Sequence, residues 1–213
     1  MIRRTRRRML RWGRANFREF VWRQEQDPWL ALVAEFFLQR TRASQIADVF
    51  VDFKERFPTA SSVAGATESD VGKFFSRLGL RWRGPLLIEI AKEVAARNGR
   101  PPDDTKSLQA MRGIGGYTAA AWLSLHRGVR AVIIDANVCR WLNRMTGLPY
   151  NRDPRGLRWV NDMCESLTPP KVFRDYNYAV LDFTMTVCTR SRPGCSSCPL
   201  RSDCLHSRTG SMP

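Results

Sequence analysis

Apolar residues in this chain recur at intervals of three and four far more than in alternation, which predicts a succession of helices. Asp27-Pro28 reads as an N-cap followed by proline at the first helical position. The run WLALVAEFFLQR after it is apolar on nearly every side, as in a helix buried all round. Ile46, Val49, Phe50, Phe53 and Phe57 mark the inward face of the next helix, which Pro58 ends. Thr67 and Asp70 have capping-box spacing ahead of Val71, Phe74, Phe75 and Leu78. Pro85 opens a helix with Leu86, Leu87, Ile90, Ala91 and Val94 inside and Gly99 as its stop. A short helix over 105–112 ends at Gly113, another runs from Gly116 to about Arg127, and helices near 136–145, 155–167 and 172–187 follow. Only VRAVII (129–134) has strand character; with no partner strand it is read as an extended buried link. The fold class is all-α.

The chain has 213 residues, enough for one large domain or two small lobes, and its 43% hydrophobic content excludes a disordered tail. Net charge changes the picture. It is +15, with 30 arginines among 35 basic residues. Such a surplus points to a polyanion, nucleic acid before an anionic membrane. No apolar run is long enough to span a bilayer. The opening MIRRTRRRML lacks a following apolar stretch, so it is not read as a secretory signal. A transit peptide stays open, as does a basic arm, laid along DNA or disordered.

The tail CTRSRPGCSSCPLRSDC carries Cys188, Cys195, Cys198 and Cys204 at spacing C-x6-C-x2-C-x5-C. Four thiolates so close in sequence suit zinc or an iron–sulfur cluster. Two disulfides are the alternative, and nothing supports an oxidising compartment. Zinc ribbons usually carry two C-x2-C knuckles and this tail has one. Cys139 and Cys164, inside predicted helices, read as buried structural thiols.

The tail resembles the [4Fe-4S] loop of the endonuclease III class of DNA glycosylases, and MRGIGGYTAA resembles the helix-hairpin-helix of the same superfamily. That superfamily also holds the adenine and G·T-mismatch thymine glycosylases. The likeness runs from about Trp22 to Cys204 and is strongest at AEFFLQRTRA, MRGIGGYTAA, IIDANVCRW and the cysteine tail. It implies two helical lobes with a DNA groove between them. One lobe, 28–135, carries the hairpin; the other joins 1–27 to 136–213 and ends in a [4Fe-4S] loop at 188–204. It also implies a monomer that binds mismatched or damaged double-stranded DNA, with no membrane partner. The compartment would be the cytoplasm of a bacterial or archaeal cell, or the nucleus or mitochondrion otherwise.

The glycines fit this physically. Backbone N–H groups at a helix N-terminus bind phosphate, and a Cβ at Gly113 or Gly115 would obstruct the turn or the close approach. Asp135, 20 residues past the hairpin, is the implied catalytic carboxylate; a plain N-cap is the bland reading. Glu35, alone in an apolar helix, should have a raised pKa and suit protonation of the departing base, or else form a buried ion pair with Arg40 or Arg42. Tyr117 stands where lyase-active members have a Schiff-base lysine, so the chain resembles monofunctional members. Expected DNA contacts are Gln39, Arg40, Arg42, Arg81, Trp82, Arg112, Gly113, Gly115, Gly116, Thr118, Arg190 and Arg192, with Arg81 and Trp82 filling the hole left by a flipped nucleotide or stacking on the orphan base. LGLRWRGP and DYNYAVLDF lean to the thymine branch, and CTRSRPGC to the adenine branch. The expected substrate is thymine or uracil opposite guanine; adenine opposite 8-oxoguanine, a modified base, or a binding module without catalysis are the alternatives.

Overall fold

The structure, a computed structural model, describes residues 1–149 and 156–210. Helix follows helix as the periodicity predicts, and there is no strand among the described residues. Contacts divide the chain into two units: Glu19–Val129, and Met1–Arg18 with Arg130–Pro213. The boundaries therefore fall at 18/19 and 129/130, where the sequence placed 27/28 and 135/136. The turn Val21–Gln24 accounts for the first shift, because buried Trp22 stacks on Phe20 at 4.5 Å and Glu25 pairs with Lys54 at 2.6 Å, all within the Glu19–Val129 unit.

That unit is built around α2 (Pro28–Phe37), in which every residue from Trp29 to Phe37 is buried. Asp27 caps it by accepting from the Leu30 N–H at 2.9 Å. Around it lie α3 (Ala43–Arg56), α4 (Ala60–Ala64), α5 (Glu68–Ser76) and α6 (Gly84–Ala95). Phe37 meets Phe53 and Phe75 edge-on at 5.1 and 5.0 Å, so the apolar positions of three helices close on one aromatic centre. Half of the expected capping box forms at α5. The Thr67 hydroxyl accepts from the Asp70 N–H, while the Asp70 carboxylate accepts a hydrogen bond from that hydroxyl rather than from the backbone. Gly99 ends the turn after α6 at φ +77°, as expected of a helix stop. The hairpin helices are α7 (Thr105–Ala110) and α8 (Gly116–Ala121), and α8 runs on into a π-helical turn, Trp122–His126.

The other unit contains α1 (Ile2–Asn16), α9 (Ala136–Thr146), α10 (Arg158–Leu167), α11 (Phe173–Thr186) and α12 (Leu205–Thr209). The start expected for α10, at 155, lies outside the described residues. The link at 129–134 buries only Ile133 fully, with Val132 and Ile134 packed against the core, so it is half-buried rather than buried. The arginine arm is not disordered: it is α1, whose Thr5, Met9 and Gly13 turn inward at helical spacing against α11. A Cβ on Gly13 would lie 2.4 Å from the Ala179 Cβ. Replacing Gly13 with Val is therefore expected to lower stability by about 1–3 kcal/mol, read as an earlier urea midpoint. An unchanged midpoint would mean that α1 does not pack this closely.

Candidate active site

Between α7 and α8 the chain turns on Gly113 at φ +94°, a conformation side chains resist, and a Cβ there would crowd a Phe36 ring carbon at 3.3 Å. Met111 and Ile114 are buried and anchor the turn. Gly115 differs. Its φ is −86°, and a Cβ would meet nothing within 4 Å. Of the two, contacts and conformation among the described residues require glycine at Gly113 and not at Gly115, so any steric demand at Gly115 comes from outside. Arg112 is exposed and pairs with Glu89 at 3.1 Å.

The hairpin is fastened to the end of α2. The Gln39 amide donates to the Thr118 hydroxyl at 2.8 Å and to the Gly113 carbonyl at 3.2 Å. Its oxygen accepts from Arg83, whose guanidinium also donates to the Phe36 carbonyl at 3.2 Å. Gln39 and Thr118, expected as DNA contacts, thus bind each other here. Arg83 was missed by sequence reasoning. It is buried beside Arg40 with no carboxylate partner among the described residues, and burial followed by the Arg40 charge lowers its pKa. Arg83 also lies under the ring of Trp82, 5.0 Å from its centre, while Trp82 stays 56% exposed beside exposed Arg81. Arg40 is exposed at φ +62°, and Arg42 is exposed at the start of α3.

Glu35 is buried, as the apolar run implies, but its partner is neither Arg40 nor Arg42. His126 Nε2 lies 3.0 Å from Glu35 Oε1, and both side chains are almost wholly enclosed. The other ring nitrogen, Nδ1, is buried without a hydrogen bond. The π-helical turn carries His126 to this place, a distortion frequent at functional sites. Tyr117 is half-buried in the first turn of α8.

Asp135 caps α9. One carboxylate oxygen accepts from the Val138 N–H at 2.7 Å and the other from the Asn137 amide at 2.8 Å. The Asn137 oxygen in turn accepts from Arg140 at 2.8 Å. The carboxylate is thereby held in one orientation by Asn137 and Arg140, two residues the sequence did not single out. Arg140 donates further to the carbonyls of Thr184 and Cys188, both at 2.9 Å. One turn on, buried Arg144 donates to the Thr189 and Arg190 carbonyls at 2.6 and 2.8 Å and lies 3.5 Å from the Cys188 sulfur. α9 thus carries Asp135 at its start and holds the cysteine loop with two arginines further along. Arg190 and Arg192 are exposed on that loop.

Cys188, Cys195, Cys198 and Cys204 line one pocket, and none is in a disulfide. The Leu200 N–H donates to the Cys198 sulfur at 3.4 Å. Burial, with the neighbouring Cys204, Cys188 and Cys195, pushes the Cys198 thiol up to about 11. Four thiolates together need a cation to neutralise them, which is the chemistry of a metal centre. As the side chains stand, no three His, Cys, Asp or Glu residues are gathered to hold an ion among the described residues. Cys139 and Cys164 are buried in the core as expected, and burial raises the Cys164 thiol to about 12.

No family model matches the chain. A thymine-DNA glycosylase of Aeropyrum pernix is 32% identical over 209 residues, covering 94% of this chain and 93% of that protein. An adenine DNA glycosylase of Mycobacterium tuberculosis is also 32% identical, over 90% of this chain, which spans 64% of it. The solved structure of a thermostable thymine-DNA glycosylase matches with TM-score 0.89 at 28% identity, covering 96% of this chain and 95% of that one.

Proposed function

We propose that this chain, which belongs to the helix-hairpin-helix superfamily of DNA glycosylases, is a monofunctional enzyme releasing thymine or uracil opposite guanine. The observation that carries the chemistry is the anchored carboxylate of Asp135. Departure of a base with the electrons of its N-glycosidic bond leaves positive charge on the sugar. A fixed carboxylate stabilises that charge, orients the water whose oxygen then bonds the sugar carbon, and takes the proton that the water gives up. Glu35, 3.0 Å from His126 Nε2, is placed in the role of proton donor to the leaving base. Gly115 and the amides opening α8 receive a phosphate of the bound strand, and Trp82 fills the space of the flipped nucleotide. Tyr117 cannot form a Schiff base, so the sugar–phosphate chain stays intact. The near full-length likeness to a thymine-DNA glycosylase supports the target, and uracil, which is thymine without its methyl group, fits wherever thymine does. The enzyme acts as a monomer on mismatched duplex DNA, in the compartment that holds the chromosome. No described helix is long and apolar enough to cross a membrane.

The four cysteines fit a [4Fe-4S] cluster by donor type, by sharing one pocket, and by the N–H donor on Cys198. Held by Cys188, Cys195, Cys198 and Cys204, such a cluster would tie the loop carrying Arg190 and Arg192 into one shape. Purified protein is expected to be yellow-brown, absorbing near ~400 nm, with iron and acid-labile sulfide in equal amounts. Cys198→Ser should lose the colour and loosen the loop to proteolysis. Colourless, folded protein with stoichiometric zinc would overturn the assignment.

The function is tested with end-labelled duplexes containing G·T, G·U, A·8-oxoguanine or matched pairs, each assayed with and without alkali. Cleavage of G·T and G·U only after alkali is expected. Cleavage of A·8-oxoguanine alone would move the chain to the adenine branch, as its M. tuberculosis relative would suggest. Cleavage without alkali would show a lyase and remove the role given to Tyr117.

A further inference from the structure

The seven arginines of α1 divide into two groups. Arg4 and Arg8 pair with Asp203, and Arg6 donates to the carbonyls of Ser166 and Leu167. Arg3, Arg7, Arg11 and Arg14 are exposed and have no hydrogen-bond or ion-pair partner among the described residues. At helical geometry these four fall within about 80° of arc and span about 16 Å along the axis. The opposite face, Thr5, Met9 and Gly13, is held on α11, so the stripe has a rigid support. Beside it, Arg201 and Arg208 join Arg8, Arg11, Trp12 and Asn16 around an open hollow that widens the positive surface.

We infer that this face of α1 is a second DNA contact, separate from the hairpin, that grips the phosphates of duplex DNA without reading sequence. Four crowded like charges repel and add nothing to folding, whereas a polyanion relieves them. One strand presents about five phosphates over a 16 Å length. Arginine forks match phosphate oxygens in pairs. A membrane surface fits less well, because a helix lying in a bilayer needs a free apolar face and here that face is taken by α11. Such a contact would hold the enzyme on undamaged DNA during search. It rests on the chain being a DNA glycosylase but not on which base it releases.

The test replaces Arg3, Arg7, Arg11 and Arg14 with Gln in the full chain. Affinity for an undamaged duplex is measured by fluorescence anisotropy across a range of potassium chloride. Each lost phosphate contact lowers the slope of log affinity against log salt by about 0.9, so the slope should fall by about 3 to 4. Removing Lys92, Arg97 and Arg100, exposed in the other unit, should leave the slope unchanged. Single-turnover base release at saturating duplex should also be unchanged, which separates this inference from the catalytic proposal. An unchanged slope, or an equal fall per charge in the control, would overturn it. So would DNA binding that is unaltered while binding to phosphatidylserine vesicles is lost. Should the fourfold variant misfold, Arg3→Gln with Arg7→Gln, and Arg11→Gln with Arg14→Gln, should each give about half the change.

Discussion

Asp135→Asn is expected to lower single-turnover base release by about 10²–10³-fold or more while duplex affinity and melting temperature stay near those of the parent. The substitution is chosen because asparagine caps helices about as well as aspartate. The acceptor for the Val138 N–H survives, so the α9 cap is kept; the Asn137 amide loses its acceptor, while Arg140 and Arg144 still hold the loop through its backbone carbonyls. What disappears is the negative charge needed opposite a cationic sugar. Release and stability therefore part company, and the N-cap and the catalyst can be told apart in one protein. Release at the parent rate would remove Asp135 from the mechanism.

Glu35→Gln should reduce release by about 10²–10⁴-fold, the usual contribution of a positioned proton donor. The glutamine amide can still pair with His126 in either tautomer, so the buried contact persists while the carboxyl that could deliver a proton is gone. His126→Leu makes the complementary change. It strands the Glu35 carboxyl in an apolar surrounding and should cost about 1–3 kcal/mol of stability. A Glu35→Gln protein that is less stable but releases base at the parent rate would show that the pair only braces the π-helical turn to α2.

The comparison of Glu35 with Gly113 shows how far the chain could be read before its structure was known. Gly113 was legible because the demand on it is local: a left-handed turn between two short helices writes itself as glycine. The burial of Glu35 was legible for the same reason, from the apolar residues on either side of it. Its partner was not, since His126 lies 91 positions away and reaches it only through the packing of the hairpin on α2. Arg83 was overlooked beside Trp82 because a lone arginine before Gly84-Pro85 gives no sign that it will turn inward to the Phe36 carbonyl. That the arginine arm is a helix was not legible because its arginines mask a sparse inward series of Thr5, Met9 and Gly13, and α11 gives that series something to pack on.

The amino-acid order by itself determined the all-helical class, the caps at Asp27 and Asp135, the turn at Gly113 and the cysteine spacing. Each of these depends on backbone geometry within a few residues. The tertiary structure alone decided that His126 meets Glu35, that Gln39 and Arg83 tie the hairpin to α2, that Arg140 and Arg144 hold the cysteine loop, and which arginines of α1 face solvent. Those pairings join segments far apart in sequence, and their geometry is set by how whole helices pack, which no local pattern encodes.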